Sequence, residues 1–141
     1  MAIRILIADD YEPTRRALRN LIETHEGWEV CGEVQDGDEA VARAAELRPD
    51  VVILDLAMPR MDGVEAARLI YRREPIPIIL HTLYVSPELE RAARVTGIYK
   101  VTSKTNIVEL FADLERLFPG YSQGKDLYSG NAQSAPSAEK L

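Results

Sequence analysis

Three carboxylates, one hydroxyl and one amine stand at the ends of short apolar runs in this chain. Asp9 and Asp10 close the run Ile3 to Ala8. Asp55 closes Val51 to Leu54 and opens Asp55-Leu56-Ala57-Met58-Pro59. Thr82 follows Pro77 to Leu80 and His81, and Lys104 follows Tyr99 to Ser103. Gathered in one crevice, these groups suit a divalent cation and a phosphoryl group. Carboxylates about 4 Å apart repel by roughly 1–4 kcal/mol, so a cluster of them favours a cation. Mg²⁺ fits best, because it takes oxygen ligands, keeps waters and is often held by carboxylates plus a phosphate. Asp55 is the candidate nucleophile, since a carboxylate can attack phosphorus and form an acyl phosphate. Phosphoryl transfer mainly needs positioning and charge neutralisation, which a metal and a lysine supply. The Lys104 ammonium can pair with Asp55 at rest and with a phosphoryl oxygen afterwards, and the Thr82 hydroxyl can donate to another. Alone, each signal has a plainer reading: Asp9-Asp10 as a helix cap, Thr82 as a β-branched strand residue, Lys104 as a snorkelling surface lysine. The combination favours the site.

The elements that must position these groups alternate along the chain. Residues 3–8, 29–34, 51–56, 78–82 and 99–102 read as strands, and residues 14–25, 38–47, 64–73, 87–96 and 107–118 have helical spacing. Ala17, Leu18, Leu21 and Ile22 form one face of the first helix. Ser86 before Pro87 marks a helix start, Asn106 with Glu109 resembles a capping box, and Asp38 can cap the second helix. The runs at Val51 and Ile78 are apolar on both faces, as a sheet covered on both sides requires. The expected fold is α/β, a flavodoxin-like (βα)5 doubly wound parallel sheet with strand order 2-1-3-4-5. In such a sheet the ligand crevice lies beyond the carboxyl ends of the strands where their order reverses, here between the strands ending in Asp9-Asp10 and in Asp55.

The 141 residues suit one domain. Residues 1–118 are expected to form it, with residues 119–141, rich in Gly and Ser, as a flexible C-terminal tail or linker stub. The net charge of −6 argues against direct nucleic-acid binding by this chain, because a phosphate backbone needs a basic face. Apolar runs are too short to span a bilayer. Met-Ala-Ile-Arg-Ile enters a strand at once, without a signal-peptide layout. Cys31 is the only cysteine, so no intrachain disulfide forms and a cytoplasmic setting is expected. Four residues near these signals read as structural. By strand alternation His81 points away from Thr82 into packing. His25 suits the end of the first helix, Cys31 a strand core, and Trp28 a helix-to-strand corner. Lys100 reads as a surface residue.

The pattern resembles the receiver domain of two-component response regulators over about residues 2–118. The motifs carrying the resemblance are residues 5–10, Ile-Leu-Ile-Ala-Asp-Asp; residues 51–63, from Val-Val-Ile-Leu-Asp to Met-Asp-Gly; residues 77–82, Pro-Ile-Ile-Leu-His-Thr; and Ser103-Lys104. The first half looks most like the subgroup that often carries a C-terminal helix-turn-helix output domain. The resemblance implies Asp55 as phospho-acceptor, Asp9 and Asp10 as the Mg²⁺-binding acidic pair with the Ala57 backbone carbonyl as a further ligand, and Thr82 and Lys104 as the groups engaging the phosphoryl oxygens. It implies a sensor histidine kinase or histidine phosphotransfer protein as donor. It also implies an output partner on the face of the fourth helix, fifth strand and fifth helix, and a monomer or phosphorylation-dependent dimer. By the same resemblance the chain is expected not to be an enzyme, beyond assisting its own phosphoryl transfer and slow dephosphorylation. Val101 departs from the family's usual aromatic, and Thr105 from its proline. A phosphorylation-independent binding module of the same fold is the alternative. Adjacent Asp9-Asp10 does not match the Asp-x-Asp pattern of haloacid-dehalogenase-like phosphatases. An acidic first turn does not suit nucleotide or flavin phosphates.

Overall fold

The computed structural model describes residues 2–121. Strands and helices alternate: β1 (Ile3–Ala8), α1 (Glu12–Glu23), β2 (Trp28–Val34), α2 (Gly37–Leu47), β3 (Val51–Leu54), α3 (Gly63–Arg73), β4 (Ile78–Thr82), α4 (Pro87–Thr96), β5 (Lys100–Ser103) and α5 (Ile107–Leu117). A 3-10 turn follows at Pro119–Tyr121. All strand pairs are parallel, in the order β2-β1-β3-β4-β5. Parallel neighbours need crossover connections, and each crossover here is a helix laid back on the sheet. The result is the flavodoxin-like doubly wound sheet expected from the alternation of strand-length and helical patterns.

Two cores follow from the alternation of side chains along the strands. On one face Ile5, Ile7, Val51, Ile53 and Ile79 pack under Leu18 and Ile22 of α1 and Leu110 and Leu114 of α5. On the other, Leu6, Val52, Leu54, Ile78 and Leu80 meet alanines of α2, α3 and α4, with Ile70. Small residues on those three helices let their backbones approach the sheet closely. Every residue of β3 and β4 is buried, which explains why Val51 to Leu54 and Ile78 to Leu80 are apolar on both faces.

Helix starts show how local sequence fixes each connection. The Ser86 hydroxyl accepts from the Leu89 N–H at 3.1 Å, and the Asn106 side chain accepts from Glu109 N–H at 3.2 Å. The cap of α2 is Asp36, not Asp38: its carboxylate accepts from the Glu39 N–H at 2.8 Å. Gly37 therefore begins the helix, and a Cβ there would lie 2.2 Å from the Met61 carbonyl oxygen. Only glycine allows that contact between α2 and the loop after β3. α1 starts two residues earlier than its apolar spacing suggested, because Pro13 suits the first turn and Tyr11 supplies the extended entry. Its outer positions Ala17 and Leu21 are exposed, so the buried stripe narrows to Leu18 and Ile22. β3 ends at Leu54, two residues short of the expected limit, and β5 runs one residue later than expected.

β2 holds a bulge. Ile5 pairs with Val30, but Leu6 pairs with Gly32, leaving Cys31 as the extra residue. Cys31 is half-buried against the core beneath α2, rather than a fully enclosed strand residue. The shift reverses which later side chains of β2 face α1. Residues 122–141 of the expected tail lie outside the described residues.

Candidate functional site

Strand register assembles the site. Ala8 pairs with Leu54, so Asp9 and Asp55 leave adjacent strands side by side, tied by the Asp55 N–H to Ala8 carbonyl bond at 2.8 Å. Lys104 is brought across by its own N–H, which donates to the Thr82 carbonyl at 2.7 Å. Carboxylate oxygens of Asp9, Asp10 and Asp55 all lie within 4.8 Å of one another. Asp9, Asp55 and Thr82 are buried, and Asp10 is exposed at the rim. The Lys104 ammonium sits 2.7 Å from Asp9 Oδ2 and 3.3 Å from Asp55 Oδ1. It is thus nearer Asp9 than the expected partner Asp55. Asp9 Oδ1 accepts the Tyr11 N–H at 2.9 Å, which fixes the first turn. Ala57 lies exposed in the bend after β3. Gly63 backs Asp55 so closely that a Cβ would meet its carbonyl oxygen at 2.3 Å.

The electrostatics are unbalanced: three carboxylates face one ammonium. Burial, then the neighbouring Asp9 charge, pushes the Asp55 carboxyl above the usual carboxylate value, and Lys104 pulls against them. For Lys104, burial disfavours the charge, but the Asp9 hydrogen bond and the charges of Asp9 and Asp55 hold the ammonium above the usual lysine value. The lysine therefore stays protonated at neutral pH, and the residual charge is negative. Oxygen donors with surplus negative charge, partly open to solvent through Asp10, fit a hard divalent cation such as Mg²⁺.

His81 is buried as expected, 3% exposed, and neither ring nitrogen has a hydrogen-bond partner among the described residues. Burial, with the Lys104 charge adding, drives its pKa down to about 4, so the ring is neutral at pH 7. It lines an open, largely apolar cavity of about 430 Å³ with Tyr11, Leu21, Leu83, Lys104 and Ile107. His25 lies beyond the end of α1 and stacks on Trp28, their rings 3.5 Å apart. Trp28 meets Phe111 edge-on, so the corner reading of Trp28 holds. Lys100 is not a simple surface lysine. Its ammonium lies 3.2 Å from buried Asp113 and 3.4 Å from Glu109. Sequence reasoning passed over Arg15, whose guanidinium donates to the Asp9 backbone carbonyl at 2.6 Å. Its signal was a helical position six residues after Asp9, which faces back toward the first turn.

A doubly wound parallel sheet with an acidic crevice at its switch point defines an α/β protein of the kind whose ligands sit beyond the carboxyl ends of the strands. Residues 5–115 match the response regulator receiver domain model, and the chain belongs to that family. It is similar to a two-component response regulator of the LuxR family from Aurantimonas sp. SI85-9A1. The TM-score is 0.80 at 30% identity, over 85% of this chain and 87% of that one. This accords with the subgroup that the first half of the sequence resembles. It is also similar to the response regulator domain of Thermotoga maritima CheB, with a TM-score of 0.76 at 26% identity over 89% of this chain and 99% of that one. A protein-glutamate methylesterase/protein-glutamine glutaminase from Alkalilimnicola ehrlichii is 45% identical over 80 residues, covering 57% of this chain and 20% of the relative. The chain thus spans about a fifth of that relative's length. The expectation that the chain is not an enzyme is corrected by this match, because it joins the chain to proteins named for an enzymatic activity. That activity is theirs, and the matched segment is a minor part of them. No helix among the described residues is long and apolar enough to cross a membrane.

Proposed function

We propose that the chain is a phosphorylation switch in which Asp55 accepts a phosphoryl group from a phosphohistidine of a sensor kinase or histidine phosphotransfer protein, in a Mg²⁺-dependent reaction. The observation that carries this reading is one half-buried lysine bridging Asp9 and Asp55 while three carboxylates crowd within 4.8 Å. Asp9, Asp10, Asp55 and the Ala57 carbonyl are assigned to the cation, which supplies charge neutralisation for the phosphoryl oxygens. An Asp55 carboxylate oxygen attacks phosphorus, the phosphorus–nitrogen bond of the donor breaks, and the imidazole leaves. Lys104 favours the anionic form of Asp55 that this role needs, against burial and the Asp9 charge, which together raise its carboxyl above the usual value. Lys104 then turns its ammonium to a phosphoryl oxygen, and the Thr82 hydroxyl donates to another. The apolar cavity beside Lys104 gives a donor side chain a route to the crevice.

Residues 1–118 are assigned as the receiver unit and residues 119–141 as a C-terminal tail or linker stub. The output partner is assigned to the face of α4, β5 and α5. There Val95 and Val108 are strongly exposed, and Val101 is buried where an aromatic would swing. The test is intact mass after incubation with acetyl phosphate, with and without Mg²⁺, for the parent chain and Asp55→Asn. A gain of one phosphoryl group in the parent alone, and only with Mg²⁺, is expected. No gain from acetyl phosphate or from a panel of phosphorylated kinases would instead favour a phosphorylation-independent binding module.

A further inference from the structure

Arg15 and Glu33 form a clamp against the turn that carries the acidic pair. Arg15 lies in the first turns of α1, and its side chain is only 11% exposed. Its Nη1 donates to the Asp9 carbonyl at 2.6 Å, and its Nε lies 3.5 Å from Glu33 Oε1. The other Glu33 oxygen is taken by Arg19, one turn further along α1. Glu33 can do this only because of the bulge in β2. With regular pairing after Ile5–Val30, Gly32 would stand beside Ile7 and Glu33 would face α2. The extra residue Cys31 puts Glu33 beside Ile7, on the face that α1 covers. Gly32 then faces Leu47 and Leu6, and a Cβ there would lie 2.8 Å from Leu47 Cδ1.

We infer that Arg15 is a positioning residue for the cation seat, resting on the function proposed above: anchored by Glu33, it fixes the Asp9 carbonyl and so the aim of the Asp9 and Asp10 carboxylates. Coulomb's law and positioning make opposite claims about this residue. A guanidinium beside a cation site repels the cation, so its removal should tighten binding by charge alone. Its removal should weaken binding if its main work is to hold the turn. Groups that orient metal ligands from behind typically contribute about 10–100-fold to metal affinity.

The test is calorimetric titration of Mg²⁺ into the full chain, comparing the parent with Arg15→Met and Arg15→Lys, with thermal melts to verify folding. The expected result is about tenfold weaker binding for Arg15→Met, the lower end of that range. Arg15→Lys is expected between the two, since it retains a donor for the Asp9 carbonyl but loses the two-point contact. If Arg15→Met does not fold, Arg15→Gln decides the matter: weaker binding supports positioning, and unchanged or tighter binding overturns it. A parent that binds Mg²⁺ while Arg15→Met binds as tightly or more tightly overturns this inference alone. A parent that binds no Mg²⁺ overturns the proposed function and this inference with it.

Discussion

Two lysines four positions apart each sit over a buried aspartate, and their surroundings differ in one respect. At the end of β4 and β5, Lys104 serves Asp9 and Asp55 with Asp10 close by, so acid exceeds base. At the start of β5, Lys100 serves Asp113 and Glu109, and Arg116 completes the set 2.6 Å from Asp113. The second cluster is neutral within itself and joins β5 to α5. The first is a neutralisation left unfinished. A buried charge with its partners supplied by the chain is a staple, whereas one short of partners invites a ligand.

The sharpest way to break this comparison is to remove each lysine in turn. Lys104→Met is expected to slow phosphoryl acceptance from acetyl phosphate by about a hundredfold or more, the usual loss when one charge-stabilising donor is removed. Lys100→Met is expected to leave that rate nearly unchanged, as followed by intact mass against time. Equal effects from both would erase the distinction. Next comes acid. His81 titrates near 4 in the fold against an ordinary 6.5. Its native state therefore resists protonation, and the stability this supports is complete above about 6.5 and lost as pH falls toward 4. The interval corresponds to on the order of 3 kcal/mol, and His81→Leu should flatten that part of the curve of melting temperature against pH. A variant whose acid loss matched the parent's would place the cause elsewhere.

The stabilities should also move in opposite directions. Asp113→Ala empties the centre of the balanced cluster and should cost about 2 kcal/mol at pH 7, measured by denaturant unfolding. Asp55→Asn relieves the crowded cluster and should stabilise by about 1 kcal/mol at pH 7. The sign follows from the raised carboxyl value of Asp55. The folded state binds that proton more tightly than the unfolded chain, so the parent keeps this contribution below the ordinary value of 3.8 and loses it as pH rises through the raised one. The advantage of the asparagine variant should vanish in acid below 3.8. A destabilised Asp55→Asn at neutral pH would show that the Lys104 contact outweighs the crowding.

The parts visible in the sequence were those governed by local periodicity. Apolar runs at Val51 and Ile78 gave buried central strands, and Ser86 and Asn106 gave helix starts, because a cap acts on N–H groups three residues away. Placement of Asp9, Asp55, Thr82 and Lys104 at strand ends was equally legible, since register follows once the strand order is known. What escaped depended on pairing between distant elements. The β2 bulge at Cys31 leaves no periodic mark, so Glu33 was not seen facing α1 and Arg15 was not connected with Asp9. Lys100 looked like a surface residue because its partner Asp113 lies thirteen positions on, inside a helix. Asp38 was expected to cap α2, but the cap is Asp36, because the tight approach of the Met61 carbonyl requires glycine at the start of the helix.

The unfinished neutralisation around Lys104 makes one central claim, that a phosphoryl group lands on Asp55 and nowhere else. Borohydride reduces an acyl phosphate on aspartate to homoserine, and peptide mapping then reads the position from mass. After treatment with acetyl phosphate and Mg²⁺, conversion confined to the peptide containing Asp55 is predicted, with Asp9, Asp10 and Asp113 intact. Conversion at any of those three, or at none of the four in a chain whose intact mass has gained a phosphoryl group, would contradict it.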